Sequence, residues 1–345
     1  MTEIDYELSV LKELVAIDTD VIKKTGYSKC ASLLSNRMCE LGLNVEIFDP
    51  MEKVGDEKPR PNVIGTLDVG AKETIGLVTH YDVVPPGDNW TKDPFKLTIE
   101  GDKAFGRGTA DDKSAIAACL GAINLIKDTA RLNVKLIASP EEEIGGEWGI
   151  GYIMNEVGLR FDLGVVVDDM PNFISIGASG VFSGEIRVIG KQGHAGYPHR
   201  ADNPIPKLSR LITAFNGFAK MRERKLSVLD APPDSPKKKV WGRISFTMIG
   251  GGEKENIIPG EVWTRFDMRL LPEEDPDEAR FELIAFFDKM KEKLKIDAKL
   301  SFGNFNAGYL TAPSAPFVKR FADATAFVFG SPLPIAASLG GNDGK

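Results

Sequence analysis

Several residue types are scarce in this chain of 345 residues, and each scarcity argues against a class of protein. Only three cysteines are present and none lies in a CxxC pair, so we predict neither a disulfide framework nor a cysteine zinc site, and expect buried thiols. No apolar run approaches the ~18 residues that a membrane span requires. Neither charge sign dominates, because 43 Lys and Arg face 50 Asp and Glu, and this balance argues against nucleic acid as a partner.

What is present indicates a globular chain of about two domains, since 42% of its residues are apolar, 27% are charged and its length exceeds that of one common core. Residues 1–15 alternate acidic and apolar side chains at helical spacing. They lack the basic, then apolar, then small-residue order of a signal peptide. We therefore expect a cytoplasmic protein whose first element is an amphipathic helix.

The first half of the chain alternates short apolar runs with helical periodicity. Near-continuous Val, Ile and Leu runs separated by helices are typical of buried strands in an α/β sheet with helices on both faces. The predicted strands are 45–48, 63–67, 75–79, 134–138 and 163–167, and the predicted helix between them is 116–126.

The pattern changes after Gly177, where apolar and polar residues begin to alternate by twos. Such alternation predicts antiparallel strands with one face under helices, the content of a small α+β domain. The predicted strands are 181–189, 244–249 and 262–270, and the predicted helices are 204–220 and 277–294. A helix pattern and one more strand return after 315. We therefore predict that 1–177 and 304–345 form a catalytic domain and that 178–303 is an inserted lid.

Potential metal ligands collect where three predicted strands end and where one predicted helix begins. Sites in open α/β sheets form at the carboxyl ends of strands, so we expect these groups to converge. Eight carboxylates at one edge would repel each other unless protons or cations lie among them, and a divalent metal is the simplest resolution. The four groups are His80 with Asp82, Glu141 to Glu143, Asp168 with Asp169, and Asp111 with Asp112.

Histidine and carboxylate ligands without thiolate suit zinc, cobalt or manganese. His80 and Asp82 stand two apart on an extended strand end, so their side chains leave the same face and Asp82 can accept the imidazole N–H. Glu142 and Glu143 are adjacent, so on extended backbone they point to opposite sides. One of them could bind metal while the other faces the attacked carbonyl.

Each group taken alone also has a purely structural explanation. His80 could be a satisfied core residue, the three glutamates a solvated turn, and Asp111 with Asp112 a helix N-cap. Their joint placement at one sheet edge favours a metal centre. Competing motifs are not found, because the chain has no phosphate-binding loop, no complete dinucleotide fingerprint and no GxSxG.

Six motifs resemble a known family over nearly the whole chain. In order and spacing they are similar to the co-catalytic zinc amidohydrolases that include succinyl-diaminopimelate desuccinylase, acetylornithine deacetylase, glutamate carboxypeptidase and the carnosinase-like dipeptidases. The resemblance implies two Zn2+ per chain, with cobalt or manganese as alternatives, and a homodimer formed through the inserted domain. The motifs are GLVTHYDVVPPGDNW, AFGRGTADDKSA, SPEEEIGG, VIGKQGHAGYPHRADNPI, ENIIPGE with FDMR, and SLGGNDGK.

Matched by position, the resemblance implies two metal sites that share one ligand. His80, Asp111 and Asp168 would hold the first metal. Asp111 would bridge to a second metal held by Glu143. Asp168 is chosen over Asp169 because its separation of six residues from Asp162 matches the family spacing.

The resemblance also implies catalytic and structural roles for neighbouring residues. Glu142 would be the general base, taking a proton from water and returning it to the leaving amine. Asp82 would orient the metal-binding histidine, and Lys113 would be structural.

The inserted domain would supply residues that contact the substrate. The resemblance implies that His194 reaches a neighbouring active site to stabilise the oxyanion and that His199 is structural. Asn256 and Arg269 would bind the substrate carboxylate, for which the planar fork of arginine is suited. A second explanation for Arg269, that it fixes the lid sheet, stays open.

The chain departs from the family pattern at its end. The family continues after the glycine turn of SLGGNDGK with a strand and helix that carry a further metal-binding histidine, whereas this chain stops at Lys345 with all three histidines assigned. We expect a truncated form, because loss of the last strand would leave an open sheet edge. As it stands, the chain would bind one metal and turn over slowly.

Two classes of function follow from the sequence. The first is a metal-dependent amidohydrolase for a small N-acyl amino acid, and within it YPHRADNPI and NIIPGE favour the deacylase branch, while GDNWTKDPF and GRGTADDK favour the dipeptidase branch. The second is a relative that binds ligand without turnover. The retained Glu142 favours the enzyme, and the absent terminal histidine favours the binding protein.

Overall fold

The computed structural model describes residues 3–344, so the predicted helix start at Met1 lies outside the described residues. The chain forms two compact units, residues 3–169 with 342–344 and residues 170–341. The mixed α/β fold class predicted from the sequence is confirmed. The assignment of 178–303 as a lid inserted into a catalytic domain stays a prediction.

The first unit is built on a five-stranded mixed sheet. The strand order is β1-β2-β6-β3-β7, in which β6, β3 and β7 are parallel and β1 and β2 run antiparallel to their neighbours. A small hairpin of β4 and β5 lies outside this sheet. The elements are α1 Glu3–Val15, α2 Tyr27–Glu40, β1 Asn44–Phe48, α3 Met51–Val54, β2 Asn62–Leu67, β3 Thr74–His80, β4 Thr98–Glu100, β5 Lys103–Phe105, α4 Lys113–Ile126, β6 Asn133–Ser139 and β7 Leu163–Val166.

Helices cover both faces of this sheet, which is why its central strands read as nearly continuous apolar runs. On β6, Leu136 packs in a cluster with helices α1, α2 and α4, while the adjacent Ile137 packs in a second cluster with Ile150 and Ile153. Those two isoleucines belong to π-helical turns at Glu147–Gly151 and Ile153–Val157. Because β3, β6 and β7 are parallel, their carboxyl ends meet at one edge.

The second unit contains a four-stranded antiparallel sheet, in the order β13-β15-β9-β16, and a three-stranded sheet, in the order β17-β8-β18. Two further strand pairs, β10 with β14 and β11 with β12, complete its strands. The elements are β8 Ile174–Ala178, β9 Val181–Ile189, β10 Gly193–His194, α5 Pro204–Arg222, β11 Leu226–Asp230, β12 Lys239–Trp241, β13 Arg243–Gly250, β14 Ile257–Ile258, β15 Glu261–Arg269, α6 Pro276–Leu294, β16 Ala298–Asn306, β17 Tyr309–Leu310, α7 Pro316–Phe329 and β18 Ile335–Ser338.

Helices α5 and α6 cover one face of the four-stranded sheet. Alternate residues of β9 are buried, and Ile186 packs with Phe215 of α5 and Leu283 of α6 in one core. The two helices begin where the sequence places a capping side chain before proline: Asn203 accepts from the Ile205 N–H, and Asp275 accepts from the N–H groups of the first turn of α6. The alternating pattern therefore predicted three of the four strands, and helical spacing predicted the two covering helices, whereas β16 was not predicted.

Candidate metal centre

His80, the last residue of β3, is the centre of the site and is almost completely buried. Its Nδ1 lies 3.1 Å from the backbone oxygen of Asp82 and 3.3 Å from Asp82 Oδ1. Its Nε2 lies 3.0 Å from Asp111 Oδ1 and 3.8 Å from Asp168 Oδ2. One ring nitrogen is therefore held by Asp82, and the other faces two carboxylates.

His80, Asp111 and Asp168 bring one ligand atom each within 4.8 Å of one another. The three residues come from separate elements: the end of β3, the loop before α4 and the segment after β7. The Asp111 side chain is 60% exposed, while His80 is 1% exposed. The group is therefore a buried imidazole with two carboxylates, one of which reaches solvent.

Asp82 connects this group to the glutamate loop after β6. Its carboxylate is fully buried, and its two oxygens accept hydrogen bonds from the backbone N–H groups of Glu142 and Glu143, both at 3.2 Å. The two glutamates lie in a 3-10 turn, Glu142–Ile144, so the expectation of extended backbone there is wrong. The physical reason is that one carboxylate gathers two successive N–H groups, which an extended chain would direct to opposite sides.

Two of the eight carboxylates contact other partners. Glu141 is buried against Arg60, whose Nε donates to Glu141 Oε1 at 2.7 Å, so the prediction that all eight converge is wrong for Glu141. Asp112 is the N-cap residue of α4, yet its side chain makes no cap bond. Its Oδ2 instead accepts a hydrogen bond from the backbone N–H of His80 at 3.1 Å. The peptide bond between Asp112 and the exposed Asp111 is cis.

The buried carboxylates hold protons more tightly than usual. Burial raises the pKa of Asp168 to about 7, of Glu142 to about 8 and of Asp112 to about 9. The pKa of Asp111 is lowered, chiefly by its hydrogen bond with His80. The site thus offers one imidazole nitrogen and several carboxylate oxygens. This donor set fits a divalent cation, because the positive charge of the cation compensates the negative charges that burial makes unfavourable.

Glu143, the predicted ligand of a second metal, is half-buried. Burial and then the negative charge of Asp111 raise the pKa of its carboxyl group. Among residues 3–344, the compact ligand group contains His80, Asp111 and Asp168 and does not include Glu143. Its assignment to a second metal stays a prediction.

Lys113, the third residue of the DDK motif, is fully buried. Its Nζ donates to the backbone oxygens of Leu14 at 3.0 Å and Ile17 at 2.8 Å. Burial lowers the pKa of this amine to about 8. The contacts support the structural role expected for Lys113, since they join the start of α4 to the end of α1.

Comparison with known proteins identifies a family of metal-dependent hydrolases. Residues 76–345 match the model of peptidase family M20/M25/M40. The chain belongs to this family. It is therefore a metal-dependent hydrolase, and the metallohydrolase class predicted from the motifs is confirmed.

Three individual proteins illustrate the likeness. Succinyl-diaminopimelate desuccinylase of Sphingopyxis alaskensis is 29% identical over 318 residues, which span 89% of this chain and 78% of that protein. An M20 family metallo-carboxypeptidase from Sulfolobus solfataricus matches with a TM-score of 0.78 and 23% identity, over 97% of this chain and 86% of that structure. Human carnosine dipeptidase 1 matches with a TM-score of 0.75 and 18% identity, over 96% of this chain and 84% of that structure. The two structures are similar in fold.

No helix within residues 3–344 has the length and apolarity to cross a membrane.

The predicted substrate residues of the second unit lie on its strands and loops. His194 ends β10 and is exposed, and its Nδ1 accepts from the Gly196 N–H at 3.0 Å. Asn256 is also exposed, and its backbone oxygen accepts from the Ala195 N–H at 2.9 Å. His199 lies in the 3-10 turn Pro198–Arg200, with its ring 6.3 Å from that of Tyr197.

Arg269, at the end of β15, already has a carboxylate partner. Its Nε donates to Asp267 Oδ1 at 2.7 Å and its Nη2 to Asp267 Oδ2 at 3.1 Å. Arg243, which no sequence motif indicated, lies opposite Arg269 in the register of strands β13 and β15. The Arg243 Nη2 donates to Ser179 Oγ and the Leu339 oxygen, whereas its buried Nη1 has no hydrogen-bond partner within the described chain.

We expect zinc to stabilise the chain more at about pH 8 than at about pH 5.5. The raised carboxyl pKa values mean that the metal-free folded state binds more protons than the unfolded state from about pH 4 to 9, so its stability falls as the pH rises through this window. Zinc needs the ionised carboxylates, so its contribution grows over the same window. Thermal unfolding at both pH values with and without zinc measures this difference.

Asp168→Asn and its sequence neighbour Asp169→Asn form a matched pair for this measurement. We expect Asp168→Asn to remove most of the zinc-dependent rise in melting temperature and Asp169→Asn to retain it. An equal rise at both pH values, or loss of the rise in Asp169→Asn alone, would contradict the ligand assignment.

Proposed function

We propose that the chain hydrolyses the amide bond of a small N-acyl amino acid, of the type cleaved by succinyl-diaminopimelate desuccinylase and acetylornithine deacetylase. The observation that carries the proposal is the position of Glu142. Its backbone is bound to Asp82, and Asp82 also contacts the ring of His80 in the ligand group. A carboxylate that lies beside a metal-ligand group and has a pKa near 8 is suited to general acid–base work near neutral pH.

The roles of the protein groups follow from this arrangement. A divalent ion held by His80, Asp111 and Asp168 would supply Lewis-acid polarisation of the substrate carbonyl and lower the pKa of the attacking water. Glu142 accepts a proton from that water on its carboxylate and returns it to the nitrogen of the leaving amine. Asp82 keeps the His80 ring and the Glu142 backbone in fixed relation, so the base and the ligand group stay in register.

Further parts of the proposal rest on the motifs. We assign zinc as the metal, two ions per chain with Glu143 serving the second, and a homodimer in which His194 stabilises the oxyanion of a neighbouring active site. The desuccinylase relative and the motifs YPHRADNPI and NIIPGE support the deacylase branch. The motif GDNWTKDPF supports a second candidate, a dipeptidase of the carnosinase-like branch.

A substrate panel distinguishes the two branches. The zinc-loaded protein is assayed with N-succinyl-diaminopimelate, N-acetylornithine and a set of dipeptides that includes carnosine. We expect the highest kcat/KM for an N-acyl amino acid, because the motifs next to His194 and Asn256 match that branch. A higher kcat/KM for dipeptides would favour the second candidate, and no hydrolysis of any panel member would contradict both.

Glu142→Gln tests the role of the base. The substitution keeps the size of the side chain and removes its proton-accepting carboxylate, so we expect kcat to fall by about 10²- to 10⁴-fold. Zinc affinity and the dissociation constant of a competitive ligand should change little, which separates loss of catalysis from loss of the site. Unchanged kcat in this variant would show that another group moves the proton. If the wild-type protein binds the ligand but has no measurable kcat, the chain is a binding protein and the enzyme proposal is contradicted.

Positive charge around β13 and β15 supports recognition of a substrate carboxylate. Burial and then the charge of Arg269 lower the pKa of Arg243 to about 10. Asp267 balances one of the two guanidinium groups and is paired with Arg269. The net positive charge is partly buried, so an anionic substrate group would be bound favourably there.

Arg269→Ala separates substrate binding from support of the sheet. We expect KM for the preferred substrate to rise about 10- to 100-fold, because a charge-assisted hydrogen bond is lost. KM for the same substrate with its carboxylate converted to a carboxamide should change about twofold or less. Arg265→Ala on the same strand is the control, since Arg265 is paired with Glu185. An equal rise in KM for both substrates would indicate that Arg269 only fixes the sheet.

A further inference from the structure

The residue before the proposed base is a buried glutamate that takes no part in the ligand group. The Glu141 side chain is 3% exposed, and its backbone φ is 65°, a left-handed conformation that non-glycine residues seldom adopt. Its Oε1 accepts from Arg60 Nε at 2.7 Å and lies 3.0 Å from Lys24 Nζ. Glu141 therefore combines a left-handed backbone, just before Glu142, with a buried ion pair between its side chain and Arg60.

Arg60, the partner of Glu141, is completely buried and is itself fixed by several groups. Its Nη1 donates to Asp56 Oδ1 at 2.6 Å and to the Lys58 oxygen at 2.7 Å, and its Nη2 donates to Asp56 Oδ2. Its backbone N–H donates to Asp49 Oδ1 at 2.9 Å. A guanidinium held on several sides gives Glu141 a partner with little freedom to move.

The chain around Arg60 also supports the far end of the glutamate loop. Asn62 Nδ2 donates to the backbone oxygen of Trp148 at 3.1 Å. Between these two points, the buried Asp82 accepts the N–H groups of Glu142 and Glu143. The loop is thus bound by Asp82 on one side and by residues 60–62 at its two ends.

We propose that Arg60 is a positioning residue for Glu142 and acts through Glu141. The inference rests on the proposed role of Glu142 as the base. The ion pair holds Glu141 in its left-handed conformation, and that conformation directs the next two backbone N–H groups to Asp82. Without the guanidinium, Glu141 is a buried carboxylate with one fewer partner, and the turn rearranges to give it solvent. The carboxylate of Glu142 then loses its fixed relation to the ligand group.

Arg60→Gln, Arg60→Lys and Glu141→Gln test this role in the full chain with zinc bound. We expect Arg60→Gln and Glu141→Gln to lower kcat about 10- to 100-fold while KM and zinc affinity change about threefold or less. The double variant should fall no further than the more damaged single variant, because both substitutions break one interaction. Arg60→Lys keeps the charge near Glu141 and should recover part of kcat.

Amide hydrogen exchange supplies a readout that does not depend on activity. In Arg60→Gln, a peptide that contains Glu142 and Glu143 should exchange at least about tenfold faster, while a peptide from α4 stays protected. Arg37→Gln is the control, since it removes another arginine–carboxylate pair, with Glu13, far along the chain from the loop. That variant should leave exchange of the glutamate loop unchanged.

The two readouts separate the possible failures. If Arg60→Gln speeds exchange of the glutamate loop but the wild-type protein hydrolyses no substrate, the proposed function is overturned. The positioning role of Arg60 stays supported in that case. Unchanged loop exchange in Arg60→Gln, or parallel losses of kcat, zinc affinity and α4 protection, would overturn the positioning role, because the pair would then serve only overall stability.

Discussion

The site depends on the interactions made by the buried carboxylate of Asp82. It lies beside Nδ1 of His80 and accepts the backbone N–H groups of Glu142 and Glu143, so one side chain connects the end of β3 to the loop after β6. A fully buried carboxylate is costly unless its oxygens are well bonded, and these contacts provide that bonding. The relation between the imidazole and the glutamates is therefore set by contacts within the protein.

Four of the buried or half-buried acidic residues near His80 fall into two kinds according to what balances their charge. Glu141 has Arg60 and Lys24 as cationic partners, so it is a structural anion. Asp168, Asp112 and Glu142 have no ion pair with lysine or arginine within residues 3–344, and burial raises their pKa values. Buried carboxylates that lie beside an imidazole without a fixed counter-charge are the feature that makes this group a candidate metal site, whereas Glu141 belongs to a salt-bridge network.

Sequence patterns predicted the strands that have either a near-continuous apolar run or a regular alternation. The predicted strand 75–79 lies within Thr74–His80, and the alternating segment 181–189 is a strand with those bounds. The placement of His80 at a strand end follows from the same pattern. Helix α2, Tyr27–Glu40, was not predicted, and neither were the π-helical turns around Gly149, where glycine and unusual backbone angles obscure any helical period.

Side-chain contacts between distant residues account for what the sequence pattern missed. The glutamates of SPEEE are chemically identical in the sequence. Contacts with Arg60 and Lys24 make Glu141 structural, and Asp82 holds the backbone of the other two. Cys39 was expected to be buried and is exposed, because it lies on the outer face of α2. The roles of the glutamates depend on residues far apart in the chain, which periodicity and local propensity do not report.

The contacts of Lys113 have a consequence for the amino-terminal helix. The Lys113 amine binds the backbone oxygens of Leu14 and Ile17, which are 99 and 96 residues away along the chain. Lys113 directly follows Asp111 and Asp112, so the end of α1 shares a mechanical link with the solvent-facing carboxylate of the ligand group. Proteolysis, a fusion or a partner protein that displaces the first helix would thus also disturb the candidate metal centre, although the compact ligand group found within residues 3–344 includes no residue of that helix.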